Sequence, residues 1–157
     1  MKKLILGAMA LLAATGCKKS EYVDKPMQIE ITCPRNLNQI GFALQNWKID
    51  HHDKPPYLVS TNDGGVMELV NAKDGVRQNP HLIFQVMSNE LHNPLLLVCP
   101  QDRSKTVAKD WASLSDDNVS YVFPAHSTSN VVCVCPIDGT VLLDDGTVWE
   151  KSGRHSL

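Results

Sequence analysis

Beyond residue 17 the chain has no apolar run long enough to cross a bilayer. It has no excess of positive charge: 15 Lys and Arg stand against 17 Asp and Glu, with no basic patch, which excludes the electrostatic footprint of a nucleic-acid binder. No Cys-x-x-Cys redox motif is present. Gly64-Gly65 has no helix pattern directly after it, so a phosphate-cradling loop is missing. Ser113, Ser115 and Ser120 lack the context of a nucleophile elbow. Repeats and low-complexity tracts are also absent. No catalytic constellation emerges, and the expectation is a protein that is not an enzyme and carries no cofactor.

The N-terminus is the most informative stretch. Lys2 and Lys3 precede an apolar core over residues 4–13, too short for a permanent span and suited to a secretory signal. Ala14, Thr15 and Gly16 lead into Cys17. This resembles a bacterial lipobox, although Leu is commoner where Ala14 stands. The resemblance implies a signal peptide over residues 1–16, lipidation at Cys17, a tether over 17–32, and a membrane held through the lipid anchor. Each buried methylene of the acyl chains adds about 0.8 kcal/mol. The other reading is an ordinary signal peptide cut near Gly16, with Cys17 a free thiol. Removing 16 residues leaves 141 of 157, enough chain for one domain with a real core. Loss of Lys2 and Lys3 leaves 13 basic residues against 17 acidic, a formal charge of −4.

Four cysteines follow: Cys33, Cys99, Cys133 and Cys135. In an exported protein an even number points to disulfides. Cys133 and Cys135 are two apart and would face one side of a strand, so pairing of each with Cys33 or Cys99 is preferred to a tight ring between them. Free thiols and a structural zinc site are the alternatives. Cys33, Cys99 and Cys135 each precede a proline, which resembles turns that present thiolates to metal. None of the spacings is that of a zinc ribbon, however, and no metal is expected.

Leu37, Ile40, Leu44 and Trp47 recur at helical spacing and predict an amphipathic helix that ends near His51–Asp53, before Pro55-Pro56. Strands are expected at 57–60, 66–70, 95–99, 119–123, 131–135 and 140–143, with a return at 147–149 after a two-residue Asp145-Gly146 turn. Asn62-Asp63-Gly64-Gly65 and Asp138-Gly139 read as turns, residues 71–80 as a polar loop, residues 81–91 as a second helix, and 107–114 as a further turn of helix. The tail over 151–157 should be disordered.

His51-His52-Asp53 offers two imidazoles and a carboxylate, but at a helix end it reads as solvated capping residues. His81, His92 and His126 have no partner at ligand spacing. Asp116-Asp117-Asn118 and Asp144-Asp145 are rich in oxygen, but they lack the alternating ligands of a calcium loop and read as turns.

The stretch CPRNLNQIGFALQNWKIDHHDKPP at residues 33–56 is similar to a pattern of type II secretion pseudopilin-like proteins: Cys, a short gap, Asn-Leu-x-Gln-Ile-Gly, a periodic helix, an acidic or His-containing turn and prolines. VSTNDGGVMEL, FQVMSNELHNPLLLVCPQDRSK, ASLSDDNVSYVF and VLLDDGTVW resemble later segments of the same proteins, in the same order, as in the pilin-like families of planctomycete and verrucomicrobial bacteria. The resemblance covers residues 33–149. It implies an α+β fold, a pilin or pseudopilin headgroup over 33–150 with one helix on a small antiparallel sheet. It also implies a non-enzymatic role as scaffold or binding component, with envelope or secretion-system proteins as partners. A prepilin helix is missing; residues 18–32 are polar and contain Pro26. The anchor expected here is a lipid, and the place is the cell envelope, facing the periplasm. Lys18 and Lys19 favour the outer membrane. The alternative is a metal- or ligand-binding envelope lipoprotein unrelated to secretion.

Overall fold

The computed structural model describes residues 31–126, 130–150 and 155–156. The expected signal peptide, Cys17 and nearly all of the expected tether lie outside the described residues. Among the described residues no helix is long and apolar enough to cross a membrane.

The first helix, α1, spans Cys33–Asp50. Thr32 caps it, its side chain accepting the Arg35 N–H, and Pro34 occupies the first turn, where its missing N–H costs nothing. Leu37, Ile40, Leu44 and Trp47 are all buried, as their spacing predicts. The helix ends where His52 and Asp53 turn to positive φ and the Asp53 N–H returns to Lys48 O.

Two antiparallel sheets follow. Strands β1 (Ala72–Lys73) and β2 (Val76–Arg77) form a hairpin inside the expected polar loop. Asp74 and Gly75 both take positive φ there, the geometry a two-residue turn of this kind requires. The main sheet runs in the order β3 (Val131–Val134), β4 (Val141–Leu143), β5 (Val148–Trp149) and β6 (His155–Ser156). His155 and Ser156, within the stretch expected to be disordered, pair with Trp149 and Val148. The β4–β5 turn is one residue longer than expected. Leu143 N–H bonds Thr147 O across Asp144-Asp145-Gly146, with Gly146 at φ 87°.

Helix α1 lies against β4 and β5, as the expected helix-on-sheet arrangement requires, and also against a helix and a 3-10 turn from the middle of the chain. The helix approaches the sheet closely at Gly41, where a Cβ would stand 2.9 Å from Leu142 Cδ1 and 3.1 Å from Gly146 O. The chain is thus α+β.

The middle of the chain departs from expectation. The anticipated second helix is broken at Met87 into α2 (Pro80–Val86) and α3 (Ser88–Leu91). LLLVC is not a central strand: Pro94–Leu97 form a 3-10 turn, started by Asn93, whose side chain accepts the Leu95 N–H. Leu95 points outward, while Leu97 and Cys99 are fully buried. Residues 57–60 begin in another 3-10 turn, Pro56–Leu58, and 66–70 and 107–114 are turns and bends. Residues 119–123 run beside β3 but pair only at Val122, through two hydrogen bonds with Val134. Here Phe123 packs on Phe84 and Tyr57, and Arg77 lies 4.4 Å over the Tyr57 ring. Burial pushes the Tyr57 hydroxyl up to about 12 against the pull of Arg77.

Candidate metal centre

Cys33 begins α1, Cys99 follows the Pro94–Leu97 turn, and Cys135 and Asp138 belong to the connection between β3 and β4. Three stretches far apart in sequence thereby bring three sulfurs and a carboxylate together. The Sγ atoms of Cys33, Cys99 and Cys135 and a carboxylate oxygen of Asp138 all lie within 4.8 Å of one another. The three cysteines are buried and Asp138 is half-buried.

Local structure fixes each group. The Cys135-Pro136-Ile137-Asp138-Gly139 turn is closed by Cys135 N–H to Thr140 O at 2.8 Å and Gly139 N–H to Cys135 O at 3.0 Å. Gly139 sits at φ 77°, a conformation that glycine adopts without strain. The amides of Ile137 and Asp138 point at the Cys135 sulfur. Thr140 N–H donates to Asp138 Oδ1 at 2.9 Å and orients the carboxylate. Cys99 N–H donates to Ser120 Oγ at 3.0 Å, and the Ser120 side chain reaches Asp102 in turn. The Cys33 thiol donates to the buried Tyr121 hydroxyl at 3.8 Å. Asn36, also buried, donates to Val98 O at 3.1 Å and ties α1 to the Cys99 segment.

Burial, and next the neighbouring Cys135, push the Cys33 thiol up. Burial likewise raises Cys135 against the pull of the Asp138 amide. Asp138 is pushed up by burial, but the Thr140 amide and hydroxyl and the two thiols outweigh this and hold it below the ordinary carboxylate range. Crowded thiols raised in this way are poor nucleophiles, because nucleophilic attack needs the thiolate. The arrangement has the chemistry of a ligand set: soft sulfur donors and one hard oxygen around a common point.

No two of the cysteines expected to form disulfides are at bonding distance, and Cys133 is not one of the four clustered residues. Cys133 lies within β3, opposite Leu142, whereas Cys135 lies past the end of the strand, in the turn to β4. The register of β3 shifts earlier, between Val131 and Cys133, which leaves Val132 and Cys133 both buried. Asp138 was assigned only to a turn by the sequence, although Cys-Pro-x-Asp occurs twice. In the other copy Asp102 is not among the four clustered groups and accepts from Ser104 Oγ at 2.6 Å.

The remaining candidates are occupied elsewhere. His51 stacks on Trp47 at 3.7 Å and bonds Trp47 O through Nδ1. His81 Nδ1 lies 2.6 Å from Asp116 Oδ1, so Asp116 anchors the start of α2. Asn118 Oδ1 accepts from Ser115 N–H and Oγ, and Asp145 Oδ1 accepts from Thr147 N–H. His92 and His126 are exposed. No protein family, no curated protein and no solved structure matches the chain.

Proposed function

We propose that the chain is a non-enzymatic lipoprotein of the cell envelope, anchored through Cys17, whose periplasm-facing domain is a pseudopilin-like headgroup that docks other envelope proteins. Components of a type II secretion or pilus-like system are the partner class. The reading rests on the resemblance of residues 33–149. Its physical support is the seating of α1, whose inner stripe is buried and whose Gly41 approaches Leu142 and Gly146 of the sheet. On its opposite face Phe42 and Ile49, two turns apart, are 66% and 75% exposed. Large apolar side chains aligned on an outer helix face are a feature that a partner protein desolvates.

The test is site-specific photocrosslinking in intact cells from Phe42, with Arg103 as the control position. Envelope proteins trapped from Phe42 and not from Arg103 are expected. The Cys17→Ser variant should lose palmitate labelling and fractionate away from membranes. Identical adducts from both positions, or unchanged fractionation, would reject the reading.

A further inference from the structure

We propose that Cys33, Cys99, Cys135 and Asp138 are the four ligands of a closed structural Zn2+ site that fastens the start of α1 to the β3–β4 turn. The proposal stands whether or not the domain is an envelope scaffold, and it departs from the expectation that no metal is bound.

Zinc is bound tetrahedrally, with Zn–S of about 2.3 Å and Zn–O of about 2.0–2.2 Å. Those lengths set ligand–ligand separations of about 3.8 Å between sulfurs. The four ligand atoms here are no more than 4.8 Å apart, so side-chain rotations that draw them slightly inward complete the tetrahedron. The donor set selects the metal. Calcium and magnesium need all-oxygen shells, whereas three thiolates with one carboxylate suit a borderline-soft divalent ion.

Four protein groups fill four positions, with none left open for water or substrate. That separates a structural site from a catalytic one. Binding releases the three thiol protons to solvent as the sulfurs take up the metal. The surrounding donors fit this charge: the Ile137 and Asp138 amides face Cys135, and the Thr140 amide holds Asp138. The Tyr121 hydroxyl beside Cys33 can turn its proton onto the bound thiolate. A disulfide would employ two of the three sulfurs and would give no role to the third or to the oriented carboxylate.

The full chain, purified with a non-thiol reductant and supplied with Zn2+, should retain one zinc per chain by elemental analysis after desalting. Co2+ in its place should give the visible bands of a tetrahedral ion and a near-ultraviolet thiolate charge-transfer band. Cys133→Ser should leave both unchanged. Cys135→Ser should abolish the cobalt spectrum. Asp138→Asn, which preserves shape, should weaken zinc by at least the roughly 10–100-fold that loss of an outer-shell partner costs. Chelation should speed amide exchange in residues 33–41 and 135–140. Three results would each overturn the proposal: no stoichiometric zinc in the folded, reduced chain; equal loss in Cys133→Ser and Cys135→Ser; or a disulfide among Cys33, Cys99 and Cys135 in protein from zinc-replete cells.

Discussion

Lys48 Nζ reaches the main-chain oxygen of Asp144 at 3.2 Å and its carboxylate at 3.0 Å, and Gln45 Nε2 donates to the same carbonyl at 2.7 Å. The last turn of α1 is thus pinned to the β4–β5 turn, with the Lys48 side chain only 10% exposed and that of Asp144 53% exposed. The carboxylate is open to solvent, so the ion pair contributes little and the bond to the carbonyl carries more of the effect. Lys48→Met is expected to cost about 1–2 kcal/mol, and Asp144→Asn less than about 1 kcal/mol. Urea denaturation of the two variants measures the difference.

The close approach at Gly41 makes a second prediction. A methyl group there gains up to about 1 kcal/mol of helix propensity, but must displace Leu142 Cδ1 and crowd the Gly146 carbonyl. Overpacking of this kind costs about 1–3 kcal/mol. Gly41→Ala is expected to destabilise by about 1 kcal/mol, and Gly41→Val by about 3 kcal/mol. Leu142→Ala should shrink the penalty of Gly41→Ala, which a double-mutant cycle reads directly.

Gly64 and Gly65 are neighbours with different reasons to be glycine. Gly64 sits at φ 87° in open space, with only His51 Nε2 3.9 Å from a Cβ. At Gly65 a Cβ would collide with the main-chain oxygen of Val59. Gly64→Ala should cost about 1–2 kcal/mol of left-handed backbone strain. Gly65→Ala should cost about 3 kcal/mol or more, because the obstacle is main chain. Thermal unfolding of both variants will rank them.

Several carboxylates at the surface, three of them exposed and Asp102 half-buried, sit below their ordinary range because local donors hold the charged form: Thr61 for Glu68, Ser104 for Asp102, Ser113 for Asp110 and Thr147 for Asp145. A pKa depressed on folding adds stability that is complete above the unfolded value. That stability is lost as pH falls through the folded value. The urea midpoint should therefore hold steady down to about pH 5 and fall below about pH 4. Replacing Asp110 and Asp145 by Asn should flatten that fall.

The parts of the fold that the sequence disclosed are those governed by a local period or a local turn. Leu37, Ile40, Leu44 and Trp47 repeat with the helix, and burying one stripe is the only way to satisfy them. Asp145-Gly146 announced a hairpin, although not its extra residue. LLLVC misled because an apolar run does not state its conformation. Asn93 and Pro94 favour a tight turn, and the outward Leu95 shows that the run was never uniformly buried. The four-ligand cluster was hidden for a different reason. Its members come from three stretches that only the tertiary fold joins, and the local clue, a proline after each cysteine, does not say which carboxylate completes the set.

The position of Cys33 has a mechanical consequence. A helix ordinarily frays from its ends, yet the first residue of α1 is where three remote stretches of chain meet. Tension arriving along the backbone from before Ile31 enters at Thr32 and passes within a single turn to the segments around Cys99 and Cys135. Unwinding from that end would have to start by drawing a buried sulfur out of the interior, so the entry point of any external pull coincides with a buried junction of three segments.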